Sequence, residues 1–489
     1  MNRPMRKGRK MESRLGKIKI PHVFVLLLGV IFFTALMTYI TPAGQYERVE
    51  KKVGSLTRNV VQPGTYQTLP KHYSIKAIFL GDKKEGYAEP ESLLGFLSSI
   101  PRGMQDAADI IFFIFIIGGT FGILQRSGMI AAFLHKLLDM FGHSSTLLTI
   151  IIMTVVAVGG STLGMGEEFI PLVPIFLIVS KEMGFDRIYG LALVMLAADV
   201  GFAAATTNPF TVNIAQGIAE LPLNSDVPFR AVFLVVILFI AISYTLRYGR
   251  RIKKDPSASY MPDDNFDLSH LRHEKQVLNA AHIRVMISSI VIFVFILYAV
   301  QTFDWWLNEM SAAFLFMGIM AAVFSRMSVK DASHAFVKGM EEMVVAALVV
   351  GFARGIQVVL QDGQILDTVI HGAATSLKHF HNIIAAQGML IFQTVLNFFI
   401  PSGSGQAAVT MPLMAPLADV LGLSRETAVF AFTCGDGFSN SIIPTSGVLM
   451  AMLSLARIPL SSWWRFMMPL FGQLMLASAV FLTISVYIY

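Results

Sequence analysis

Long apolar runs alternate with short polar interruptions along this chain, and most runs approach the roughly 20 residues that cross a hydrocarbon core. Uninterrupted runs predict spans at 22–40, 106–126, 228–248, 283–302, 307–325, 342–361 and 463–488. Two longer runs, 186–219 and 424–457, are interrupted midway by Thr206, Thr207, Asn208 and Pro209 and by Asn440, Ser441, Pro444, Thr445 and Ser446. Proline removes a backbone donor and disfavours helix at the preceding residue, so both read as broken helices. Segments 144–181 and 382–420 each hold room for two short helices around a small-residue tip. The first tip runs Gly160-Ser161-Thr162-Leu163-Gly164-Met165-Gly166-Glu167-Glu168, with Pro171 and Pro174 beyond it. The second runs Pro401-Ser402-Gly403-Ser404-Gly405-Gln406, with Pro412 and Pro416 beyond it. Both segments read as re-entrant hairpins. The pattern predicts an all-α polytopic membrane protein with nine transmembrane helices, two of them broken, and two re-entrant hairpins.

Hairpin and break recur in the same order about 240 residues apart. Arg102-Gly103-Met104-Gln105 matches Lys338-Gly339-Met340-Glu341, and Gly122-Ile123 matches Gly355-Ile356. A short amphipathic helix is expected before each hairpin, at 130–141 and 365–377. Five crossings separate the two starts, and an odd number gives the halves opposite orientations. The expected organisation is a basic N-terminus (1–21), a first half (22–250) with an extracytoplasmic loop (41–100), a cytoplasmic loop (251–282) and a second half (283–489). Inverted repeats with interrupted helices in corresponding places characterise alternating-access secondary transporters, whose binding site lies between the interruptions.

Composition agrees with this architecture. The 489 residues are 54% hydrophobic and 14% charged, against roughly a quarter charged in soluble domains. The net charge of +6 sits in particular loops and is no nucleic-acid signal. Eight Lys and Arg residues precede the first run, and eight more fall between Arg247 and Arg284, whereas 220–228 and 301–306 contain none. The positive-inside bias thus places the N-terminus in the cytoplasm and makes the first run an uncleaved helix. In the long outer loop, 60–66 and 73–80 are expected to pair as a small hairpin. A lone cysteine, Cys434, excludes a disulfide framework. No H-E-x-x-H pair occurs, and Gly403-Ser404-Gly405 lacks the strand–elbow–helix context of a nucleophile. Neither metal catalysis nor any other enzymatic activity is expected. Trp305, Trp306, Trp463 and Trp464 read as interfacial anchors.

Candidate ligands follow from the interruptions. Helix ends that meet at a tip leave N–H and C=O groups without intrahelical partners. Ser161, Thr162, Gly164, Gly166, Ser402, Gly403, Ser404, Gly405 and Gln406 would present backbone and hydroxyl groups there. Thr206, Thr207, Asn208, Asn440, Ser441, Thr445 and Ser446 would do so at the breaks. Glu167 and Glu168 lie at the first tip, and Asp199 and Asp436 precede the two breaks at equivalent points. A carboxylate at bilayer depth costs about 3 kcal/mol even on lenient scales, so it faces a cavity or a partner. The glutamates are read as substrate ligands and the two aspartates as carriers of a coupling proton or cation. With no Lys or Arg at any interruption, the site suits a cationic solute, a coupling cation or a titrating proton carrier. Arg354, in the 342–361 run, either reaches a substrate carboxylate or pairs with an acid of the scaffold. Gln393 and Asn397 read as interhelical hydrogen-bond partners.

Over nearly its whole length the chain resembles the YfcC family of bacterial inner-membrane proteins. The resemblance rests on Gly164-Met165-Gly166-Glu167-Glu168, on Asn208-Pro209-Phe210 with Ala215-Gln216-Gly217-Ile218-Ala219, on Ser402-Gly403-Ser404-Gly405-Gln406-Ala407 and on Gly435-Asp436-Gly437-Phe438-Ser439. That family groups with the anaerobic four-carbon dicarboxylate carriers. The resemblance implies a secondary transporter, a homodimer, an elevator-like moving domain and a small-molecule substrate. Two substrates remain open. One is exchange of basic amino acids, in the manner of arginine and ornithine, with no cofactor. The other is sodium- or proton-coupled transport of a C4-dicarboxylate or similar carboxylate.

Overall fold

A computed structural model describes residues 23–53, 56–133, 136, 144–261, 278–303 and 305–489. Among them eight helices are long and apolar enough to cross a membrane: Val23–Ile40, Ala108–Arg126, Ser145–Leu163, Val227–Lys254, Ala280–Val300, Leu307–Phe324, Val344–Asp362 and Leu460–Ile488. Every uninterrupted run of the sequence becomes one of these. Ser145–Leu163 was expected as a short hairpin arm, but its 19 residues reach about 28 Å. No proline interrupts this run, and Gly160 serves close helix contact rather than a bend. A Cβ there would sit 2.6 Å from the Ala198 carbonyl oxygen.

Both interruptions form as expected. The first broken helix comprises Arg187–Leu191, a π-helical turn at Ala192–Leu196, Ala197–Ala203, non-helical residues 204–211 and Val212–Ile218. The second comprises Arg425–Ser439, residues 440–446 and Gly447–Ala456. The hairpins join Ser145–Leu163 to Val173–Glu182 and Asn382–Asn397 to Gly403–Val420. Every residue from Glu426 to Ser439 is buried, so the second broken helix threads the interior rather than facing lipid. Leu366–Leu377 precedes the second hairpin. The helix expected at 130–141 lies mostly outside the described residues.

Two helix crossings mirror one another. Leu93–Asp106 packs along Val344–Asp362, and Ala108–Arg126 along Val329–Glu342. A Cβ on Gly103 would lie 2.5 Å from the Gly355 amide nitrogen. One on Gly339 would fall on the Gly118 carbonyl and 3.0 Å from Gly122 Cα. These glycines occupy the strings whose similarity linked the two halves, and small residues at such crossings let backbones touch.

The outer loop departs from expectation. Arg48–Val53 pairs antiparallel with Leu56–Val61, and Ala43–Gln45 with Gln67–Leu69. Residues 73–80 instead contain the helix Ile75–Phe79, because the Ser74 hydroxyl accepts the Ala77 amide at 2.9 Å and caps it. Nearby, Glu91 is buried, and its carboxyl is pushed up to about 8 by burial, with Asp362 adding to the shift and Arg102 opposing it.

Gly339→Leu places a side chain where only backbone fits, and should lower stability by about 1–3 kcal/mol; Gly472→Ala, with open space around its Cβ position, should not. Thermal denaturation in detergent separates them. For Glu91 the folded pKa lies above the unfolded one, so its contribution is fully present at low pH and fades as pH rises through about 8. Glu91→Gln should therefore flatten the fall in melting temperature between about pH 5 and pH 8, and an unchanged slope would refute the assignment.

Candidate functional site

Helix interruption exposes backbone groups, and each half satisfies them differently. In the first half the hairpin tip docks onto the break. The Thr206 and Thr207 amides donate to the Ser161 carbonyl at 3.0 and 3.3 Å. The Ser161 hydroxyl donates to the Ala204 carbonyl at 2.9 Å and accepts the Thr206 amide at 3.1 Å. The Thr207 hydroxyl donates to the Thr162 carbonyl at 3.1 Å. Asn208 Oδ1 accepts the Phe210 amide at 2.8 Å, turning the chain back into Val212–Ile218. Gly164, at φ +69°, ends the first arm directly against Asn208, where no side chain would fit.

In the second half, side chains close the break. The Asn397 amide faces the Asp436 carbonyl, the Ser439 hydroxyl and Asn440 Oδ1 at 2.8–2.9 Å. Gln406 Nε2 donates to Gln393 Oε1 at 2.7 Å, tying the hairpin arms together. The Trp463 and Trp464 indoles donate to the Ser441 and Ile442 carbonyls, each at 2.8 Å. These tryptophans were read as interfacial anchors. Trp463 is instead fully buried, because freed carbonyls in an apolar interior require donors.

The breaks cross one another, Gly437 lying against Ala203, and Gly403 of the second tip lies against Thr211 and Asp436. The meeting encloses a cavity of about 200 Å³. Drug-sized pockets measure ~300–1,000 Å³, so this one suits a single small metabolite. Of the residues singled out in the sequence, Gly164, Gly166, Glu167, Glu168, Asp199, Ser402, Gly403, Ser404, Asn440 and Ser446 line it. Ser161, Thr162, Thr206, Thr207, Asn208, Gly405, Gln406, Ser441, Thr445 and Asp436 do not. The hydrogen bonds above show most of these serving the backbone instead.

The acids are not equivalent. Glu168 is buried, and its Oε2 accepts the Gly166 amide at 2.9 Å, while Glu167 is half-buried. Among the described residues, Asp199 Oδ2 is buried without a hydrogen-bond partner, and so are both oxygens of Asp436, which is fully enclosed. Ser402 caps Gly403–Val420, so the positive N-terminal end of that helix opens on the cavity. Among the described residues no group of three or more His, Cys, Asp or Glu could hold a metal ion.

Three further polar or aromatic lining residues come from outside the hairpins and breaks: Arg354, for which the sequence left a substrate or a scaffold partner open, Gln357 and Trp306. Arg354 and Gln357 project from Val344–Asp362, with Arg354 Nη1 donating to Gln357 Oε1 at 2.6 Å. Trp306, read as an interfacial anchor, lines the cavity and meets Phe210 edge-on at a centroid distance of 4.5 Å. Its place at the start of Leu307–Phe324 carries no interruption signal, so the sequence pattern could not select it.

Known proteins resemble this chain along most of its length. The DcuC family, described as C4-dicarboxylate anaerobic carrier, matches residues 20–487. An Escherichia coli protein named "Putative basic amino acid antiporter YfcC" is 32% identical over 94% of this chain and 95% of its own. An uncharacterized protein of Haemophilus influenzae is 27% identical over 96% of this chain and 97% of its own. The YdaH transporter of Alcanivorax borkumensis superposes with a TM-score of 0.46 at 16% identity, covering 96% of this chain and 99% of that one. The chain therefore belongs to the DcuC family and is a multi-pass membrane transporter of the DcuC and YfcC type.

Proposed function

We propose that this protein exchanges basic amino acids across the bacterial inner membrane, with its N-terminus in the cytoplasm. The observation that carries the reading is the cavity wall: Glu167, Glu168 and Asp199 line one small chamber with a single guanidinium, Arg354. Ionised, that set bears three negative charges and one positive. A solute of net positive charge complements it. Glu167 or Glu168 would receive the side-chain cation, and the Phe210–Trp306 pair would wall it with ring faces.

The mechanism we propose is elevator-type alternating access by a homodimer. Mirrored crossings, Gly103 with Gly355 and Gly339 with Gly122, are what a two-fold relation between the halves produces, since each contact recurs with its partners exchanged. Each tip and its break would travel together as one body.

A second reading has its own support. The N-terminus of Gly403–Val420 and Arg354 both favour carboxylates, and the family is described by C4-dicarboxylates. Such a substrate would need a coupling sodium or proton at Asp199 and Asp436 to offset the acids.

Proteoliposomes loaded with ornithine should take up labelled arginine without sodium, and succinate should not drive the exchange. Sodium-dependent succinate uptake with no arginine exchange would reverse the order of the two readings. Glu167→Gln or Glu168→Gln should raise the half-saturating arginine concentration about 10- to 100-fold, the effect of losing a charged hydrogen bond worth ~1.5–3 kcal/mol. Arginine transport unaltered in both variants would remove the glutamates from substrate binding.

A further inference from the structure

We infer that the Arg354 guanidinium receives the α-carboxylate of the transported amino acid, so that the site distinguishes amino acids from amines with the same side chain. This rests on the basic amino acid reading above and assigns the end of the substrate that the acids do not explain.

Arg354 is the eleventh residue of Val344–Asp362, a 19-residue helix whose only other charge is Asp362 at its end. A cation at the middle of such a helix costs about 3 kcal/mol even on lenient insertion scales and is retained where it faces a cavity. Here it does: Arg354 lines the chamber together with Gln357, one turn further on the same face. The bond from Nη1 to Gln357 Oε1 at 2.6 Å fixes the guanidinium plane. Gly351 and Gly355, on either side, pack against Leu93–Asp106, which sets the rotation of the helix and so the direction of Arg354. A planar guanidinium presents two parallel donors that match a carboxylate.

A second feature of the chamber favours the same anion. The N-terminus of Gly403–Val420 opens on it through Ser402, Gly403 and Ser404. Donors for an anion thus come from Arg354 and the second tip, while carboxylates come from the first tip and Asp199. Arginine and ornithine carry a cationic end and an α-carboxylate several bonds apart, in keeping with that division. Agmatine and putrescine carry no carboxylate, so binding either would leave the guanidinium facing a second cation.

The test is competition for arginine–ornithine exchange in proteoliposomes. Agmatine should compete with labelled arginine at least about 100-fold more weakly than unlabelled arginine does, as expected when a site built to bond a group meets an analogue lacking it. Arg354→Gln should lose arginine affinity and bring the two competitors within about threefold of each other, while Arg354→Lys should retain an intermediate preference. Agmatine competing as well as arginine in the unaltered protein would overturn the inference without any variant. So would an Arg354→Gln protein that still exchanges arginine with the original preference. In both cases arginine exchange itself persists, so the antiporter reading stands; loss of arginine exchange in the unaltered protein would instead defeat that reading.

Discussion

Hydrocarbon offers no partner to a backbone amide or carbonyl, and a group left bare there costs several kcal/mol. This constraint organises the molecule. Breaking two helices in mid-course frees backbone groups that must find partners inside the protein. The first break finds them on the Ser161 and Thr162 end of its own hairpin. The second finds them on Asn397, Trp463 and Trp464. Tip and break are therefore bound to each other in the first half, while a hairpin-arm asparagine and two indoles hold the second break.

The halves share a plan of elements but not a chemistry. The first tip brings Glu167 and Glu168 to the chamber, and the second brings hydroxyls and a helix N-terminus. The chamber therefore has chemically unlike walls. Asp199 Oδ2 in the wall and both oxygens of Asp436 behind it are buried without hydrogen-bond partners among the described residues. Buried polar atoms are nearly always satisfied, which sets these carboxylates apart from Ser161, Thr206 and Thr207 beside the first break.

Several sequence cues proved ambiguous for identifiable reasons. Serine and threonine beside a helix break can serve a ligand or the backbone. Ser161, Thr206 and Thr207 serve the backbone, because the freed carbonyls lie nearer than the chamber. Tryptophan near the end of an apolar run suits an interface or a buried acceptor, and Trp463 took the second because the carbonyl of Ser441 lies within its reach. In the outer loop, the capping hydroxyl of Ser74 outweighed the strand-like residues after it.

Sequence alone determined the seven uninterrupted spans, the two broken helices and the small-residue tips, though not the full length of Ser145–Leu163, because apolar run length and proline or glycine interruption are local properties. It also singled out the acids, since a carboxylate in an apolar run is costly wherever the chain goes. Only the tertiary structure decided which polar side chains face the chamber. It chose the chamber for Arg354, which the sequence had left between substrate and scaffold, and brought Gln357 and Trp306 to the same cavity, because the rotation of one helix against another is set by packing between residues distant in the chain.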